Sequence, residues 1–224
     1  HTPTRRQRQM CIRDSGMVFV RGNRNDYERW ENFGLKSWSY EKVLPYFKKI
    51  ETWSGGENQY RGSLGPLPVN QSKNDNPLFK AFINSASEAG YTVNPDMNGE
   101  QQEGFGMFDT TIHEGQRASA TKYYLNPAKK RKNLNIFSNS FVEKIIFEGK
   151  KAIGIEVKIK NKVEKVYAEK EVILSGGSIN SPQLLMLSGV GNSDHLREKG
   201  IDVVSDIKGV GKNLQDHLET YITV

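Results

Sequence analysis

The 224-residue chain lacks the features that mark several protein classes. It has one cysteine, Cys11, so no internal disulfide can form, and a reducing compartment suits it. That cysteine and the four histidines form no cluster with metal-ligand spacing. No apolar run approaches the roughly 18–20 residues that span a bilayer. The N-terminus has no apolar core of a secretory signal. No G-x-G-x-x-G follows a strand and opens a helix, so the chain has no dinucleotide fingerprint. It also has no internal repeat and no low-complexity tract.

What is present is a mixed composition, 36% hydrophobic and 26% charged, enough for one large domain or two small ones. Net charge is +6, which raises nucleic acid as a partner. The first fifteen residues, "HTPTRRQRQMCIRDS", hold four arginines and one aspartate and so carry +3 of it. They have no apolar period and read as a disordered or non-native tail, residues 1–15. The rest is mildly basic, with lysines spread through a long stretch from Lys122 to Lys170 and no basic helix carrying interleaved aromatics. They read as solvated surface, so no nucleic-acid partner is expected. A non-catalytic basic nucleic-acid-binding module remains the function of another class.

From Gly16 the texture is helical, then β-rich. "GMVFVRG" is a short apolar stretch bounded by glycines. In "WSYEKVLPYFKKIET", Ser39 suits an N-cap, and Val43, Leu44 and Phe47 recur at helical spacing. "SGGENQYRGSLGPLPV" reads as a surface lid or cover. "NPLFKAFINSASEAG" predicts a helix with Phe79, Phe82, Ile83 and Ala86 on one face, stopped by Gly90. Beyond Asn133, β-rich runs are separated by polar links, "EGKK" and "KNKVEK". Ile153, Ile155, Val157 and Ile159 alternate as in a half-buried antiparallel strand. His113 and His195 read as surface residues.

The stretch "EVILSGGSINSPQLLMLSGVG" closes this region. Its β-formers suggest a strand buried on both faces, running into glycines. Ser178 or Asn180 would cap the next helix, with Pro182 in its first turn. "QLLMLS" is apolar nearly all round, which predicts burial. Helix N-termini after strands favour phosphate, and a plain buried strand–turn–helix stays open beside that reading.

Taken whole, Gly177-Ser178-x-x-Ser181-Pro182-x-Leu184-Leu185-x-x-Ser188-Gly189-Val190-Gly191 resembles the second signature of the glucose–methanol–choline (GMC) oxidoreductases. "GMVFVRGNRNDYERW" resembles the end of the first signature, with Ser15 where an Asn is usual. "EGFGMFDTTIHEGQRASATKYYLNPA" and "GVGKNLQDHLE" resemble later family segments. The resemblance covers about residues 16–224.

The resemblance implies an α/β fold: a partial Rossmann-like FAD-binding domain with an antiparallel β-meander, residues 16–215, and the start of a substrate-binding domain, 216–224. It implies an FAD cofactor, a small-molecule alcohol substrate and an unidentified electron acceptor. In the family a histidine takes the alcohol proton and hydride passes to flavin N5. That histidine lies outside this chain, which reads as an internal, inactive fragment. Gly16, Met17 and Val18 match backbone along the flavin. Val142 matches a valine that pairs with the adenine, and Ser175 and Gly176 match the adenosine end. His217 and Glu219, in "QDHLE", resemble choline-specific members, which implies choline oxidised to betaine aldehyde. Aliphatic or polyethoxylated alcohols are the alternative substrates. A cytoplasmic location is expected, with peripheral membrane association left open.

Overall fold

A computed structural model describes residues 17–215 and Thr220. Gly16, His217 and Glu219 lie outside these described residues. The chain divides into two compact units between Leu134 and Asn135.

The first unit has a four-stranded sheet in the order β1 (Val18–Phe19), β4 (Asp109–Thr110), β3 (Leu67–Gln71), β2 (Glu51–Trp53). β2 and β3 run parallel, and the other two pairings are antiparallel. A hairpin, β5 (Ile112–His113) and β6 (Gln116–Arg117), follows β4. Helices accompany these strands. α1 (Arg24–Asn32) starts where the Asn23 side chain accepts from the Asn25 N–H at 2.9 Å. α2 spans Tyr40–Ile50. Its predicted apolar face is present: Val43 is buried with Tyr27 and Tyr40, and Leu44 and Phe47 pack on them. Tyr27 meets Phe47 edge-on at 5.8 Å.

Ser39 occupies the N-cap position of α2 with extended backbone, but its hydroxyl caps nothing. Its carbonyl instead accepts from Lys42 and Val43. α3 (Pro77–Glu88) is capped by Asn76, which accepts from Leu78 N–H at 2.9 Å. Only Ala86 of its predicted face is buried; Phe82 is exposed and leans on Phe105 at 5.6 Å.

The second unit is built on a three-stranded antiparallel meander: β7 (Ser140–Glu148), β8 (Lys151–Ile159) and β9 (Lys162–Tyr167). β8 is central; of the predicted alternating residues Val157 is buried and Ile153, Ile155 and Ile159 are half-buried, while Gly154 on the other face is buried too. Lys160 and Asn161, both at positive φ, join β8 to β9. Two residues in that conformation match strand twist in a tight hairpin. The expected longer link "KNKVEK" is corrected here, because Lys162–Lys165 already belong to β9.

Helix α4 (Gly177–Leu187) follows, then β10 (Val190–Gly191), α5 (Ser193–Glu198) and β11 (Ser205–Asp206), a small parallel crossover. Two expectations fail here. Among the described residues, Val172–Leu174 pairs with no strand, and Ile173 is 76% exposed. A strand buried on both faces needs ladder partners and covering layers, and no described segment supplies them. For the same reason α4 has no buried residue despite its apolar sequence. Among the described residues, no helix is long and apolar enough to cross a membrane.

Candidate functional site

The first part of the site is the Met17–Arg21 backbone. Met17 has φ 52°, a left-handed conformation that costs a non-glycine residue about 1–3 kcal/mol. Its carbonyl accepts two bonds from one residue, the Thr111 N–H at 2.8 Å and the Thr111 Oγ1 at 3.2 Å. Val18 then pairs with Thr110 and Phe19 with Asp109. Val18 is 48% exposed, so this end of β1 is open.

The buried side chain of Asn98 reaches β1. Its Nδ2 donates to the Phe19 carbonyl at 2.9 Å, and its Oδ1 accepts from the Arg21 N–H at 2.8 Å. Gln102 Nε2 donates to the Arg21 carbonyl at 2.7 Å.

Under this segment lies a buried ion cluster. Arg61 and Glu51 are both 0% exposed. Arg61 donates to Glu51 through Nε at 3.0 Å and Nη2 at 3.2 Å. Its Nη1 donates to Asp96 at 2.6 Å and to Asp109 at 2.7 Å. Arg21 Nη2 donates to the same Glu51 at 2.7 Å. The Arg61 guanidinium also lies 4.3 Å from the centre of the Trp53 ring. Burial pulls the Arg61 pKa down, and the hydrogen bonds to Glu51 and Asp109 outweigh it, leaving the group above its usual value. Arg21 is held below its usual value, because burial outweighs the attraction of Glu51.

Local sequence delivers Arg61 to this cluster. Asn58 Oδ1 accepts from the Tyr60 and Arg61 N–H groups, each at 2.8 Å, which folds the loop back. Gly62 N–H then donates to Glu51 Oε1 at 3.0 Å. The segment expected to be a surface lid is therefore pinned at its middle. Sequence reasoning missed Arg21, Glu51, Arg61, Asn98, Asp109 and Thr111. Singly, such residues look like solvated polar groups. The available signal was the glycine spacing of "RGSLG", since Gly62 and Gly65 leave no room for a Cβ against the backbone of Lys48 and Glu51.

The second unit holds Val142, Ser175 and Gly176. Val142 is half-buried on the edge strand β7, opposite Val157. Gly176 and Gly177 open α4, and Gly177 takes φ 89°, which favours glycine. Ser178 and Asn180 do not cap this helix, contrary to expectation: both lie inside it, as does Pro182. Ser181 reaches back instead, and its Oγ accepts from the Gly176 N–H at 3.0 Å. The first-turn N–H groups thus have no side-chain cap.

At the other end of α4, the Ser188 hydroxyl accepts from the Ile145 N–H of β7 at 2.8 Å and donates to the Leu184 carbonyl at 2.6 Å. Gly189, at φ 87°, ends the helix where a Cβ would lie 2.4 Å from the Asp202 carbonyl oxygen. The serine and glycine of the signature are therefore accounted for by packing. Met17 and Val18 belong to the first unit, and Val142, Ser175 and Gly176 to the second.

Each unit by itself offers one feature compatible with a nucleotide ligand: in the first, an open strand end at Val18, and in the second, an uncapped helix start preceded by glycine. His113 sits half-buried on β5 and His195 exposed on α5. Among the described residues, no group of three or more His, Cys, Asp or Glu could hold a metal.

Comparison with known proteins gives a consistent result. The sequence matches the GMC oxidoreductase family over residues 15–219. It is 52% identical over 208 residues to "Choline dehydrogenase, mitochondrial" of Homo sapiens, covering 93% of this chain and 35% of that protein. It is 50% identical over 208 residues to "Oxygen-dependent choline dehydrogenase" of Brucella ovis, covering 93% of this chain and 38% of that protein. The chain thus spans a little over a third of the length of these relatives. Pyridoxine 4-oxidase from Mesorbium loti superposes with a TM-score of 0.82 at 31% identity, over 90% of this chain and 40% of that one. An FAD-dependent oxidoreductase from Chaetomium thermophilum gives 0.82 at 33% identity, over 89% and 37%. The chain belongs to the GMC oxidoreductase family, whose enzymes bind FAD, and it carries the N-terminal domain of that family.

Proposed function

We propose that this segment is part of an FAD-dependent alcohol dehydrogenase that oxidises choline to betaine aldehyde. The observation that carries the reading is the 52% and 50% identity to two choline dehydrogenases across 208 residues. In this reading residues 16–215 are part of the FAD-binding domain and 216–224 open the substrate-binding domain. FAD, when bound, supplies the hydride acceptor.

The chain's own residues bind and orient. Backbone at Gly16, Met17 and Val18 lies along the flavin ring. Val142 meets the adenine, and Ser175 and Gly176 meet the adenosine end. The uncapped first turn of α4 offers N–H donors to acceptors there. His217 lines the alcohol site and Glu219 faces the trimethylammonium group. A quaternary ammonium donates no N–H bond, so a carboxylate is the simplest complement.

The test uses the full reading frame that contains this segment. Glu219→Gln is expected to raise the choline KM about tenfold or more, as loss of one ionic contact would. The KM for an uncharged primary alcohol should stay the same. Equal changes for both substrates would overturn the choline assignment and favour an aliphatic alcohol.

A further inference from the structure

We propose that Asn98 and Thr111 are positioning residues that hold the Met17–Arg21 backbone as a fixed ledge for the flavin. The inference rests on the reading of Met17 and Val18 given above.

Three observations carry it. First, Met17 is a non-glycine residue in the left-handed region at φ 52°. Such a conformation persists only where its surroundings over-determine it, and it clusters at working sites. Second, Thr111 places two donors on the one Met17 carbonyl, so the residue that follows β4 sets the strained peptide. Third, the Asn98 amide bonds to the carbonyl before Val20 and the N–H after it. That is the pattern a parallel neighbouring strand would make with Val20. A side chain makes it without laying backbone along the rest of β1, and the Val18 end stays open.

Asn98 is itself held. Its N–H donates to Asp96 Oδ1 at 2.9 Å, and Asp96 is bound by Arg61. Its Nδ2 also lies 3.3 Å from Asp109 Oδ2. Asn98 is 4% exposed, so its amide is largely shielded from solvent. The ion cluster thus fixes Asn98, and Asn98 fixes the ledge.

The experiment compares the full reading frame with Thr111→Val, Thr111→Ser and Asn98→Leu. Two quantities are read: amide hydrogen exchange over residues 17–21, and FAD affinity by fluorescence titration. Thr111→Val removes one hydroxyl and keeps the branched shape, so it tests the ledge even where Asn98→Leu fails to fold. Thr111→Val and Asn98→Leu are expected to speed exchange and weaken FAD binding, each about tenfold, the scale of one hydrogen bond. Thr111→Ser keeps the hydroxyl and should match the parent in both readouts. Unchanged exchange in Thr111→Val, or faster exchange with unchanged FAD affinity, would overturn the proposal. A parent protein that binds no FAD would instead overturn the flavin reading, while exchange alone still judges the clamp.

Discussion

Arg61 and Glu51 face each other fork to fork, with two nitrogen–oxygen contacts of 3.0 and 3.2 Å and no exposed surface on either side chain. The pair joins the loop after β2 to the strand β2 itself. Two parallel bonds of this kind set orientation as well as distance, which a lysine in place of Arg61 cannot do.

Removing the Glu51 charge leaves two buried guanidinium groups competing for the remaining carboxylates. Glu51→Gln is therefore expected to destabilise the protein by about 3–5 kcal/mol, the usual cost of breaking a buried pair from one side. Urea unfolding measures this directly. A loss below about 1 kcal/mol would place the pair among exposed, well-hydrated ones.

Ser188 joins α4 to β7 with one hydroxyl. Ser188→Ala leaves the Ile145 N–H without its acceptor in a buried position. The expected loss is about 1–3 kcal/mol. Thermal unfolding should show it, together with faster exchange of the Ile145 amide. A variant with unchanged exchange at Ile145 would mean that another group takes the bond.

Two tyrosines set a limit on the alkaline side. Burial raises the pKa of Tyr27 and of Tyr40 above the ordinary value of 10.0. Below that value both folded and unfolded chains keep the phenol protons, so the two residues add no pH dependence. Above it the unfolded chain releases protons that the fold retains, and stability falls as pH rises. The melting temperature should drop through this range, with a late rise in tyrosinate absorbance. Replacing both residues with phenylalanine should flatten the drop; an equally steep one would assign it to other groups.

The sequence exposed what is local. The isoleucine and valine alternation in β8 is a period of two along one strand; the antiparallel strand it predicts is there, although burial does not follow the alternation strictly. The apolar spacing of Val43, Leu44 and Phe47 likewise depends only on one helix. Val172–Leu174 reads as a buried strand for the same local reason, yet a strand needs neighbours, and none of the described residues pairs with it. The ion cluster was invisible for the opposite reason. Arg21 and Asn98 are 77 positions apart, and nothing in either neighbourhood names the other. Of the residues assigned by family resemblance, Met17 and Val18 acquired a structural feature, the strained and doubly bonded peptide, that no spacing rule anticipates.

The meander of the second unit has a kinetic consequence. β8 is joined to its neighbours by two-residue turns on both sides, so its ladders close over very short stretches of chain. In the first unit, β1 pairs with β4 only after some ninety intervening residues have been drawn in. Short closures are fast and long ones are slow. The meander therefore has the means to close while β1 and β4 are still searching for each other.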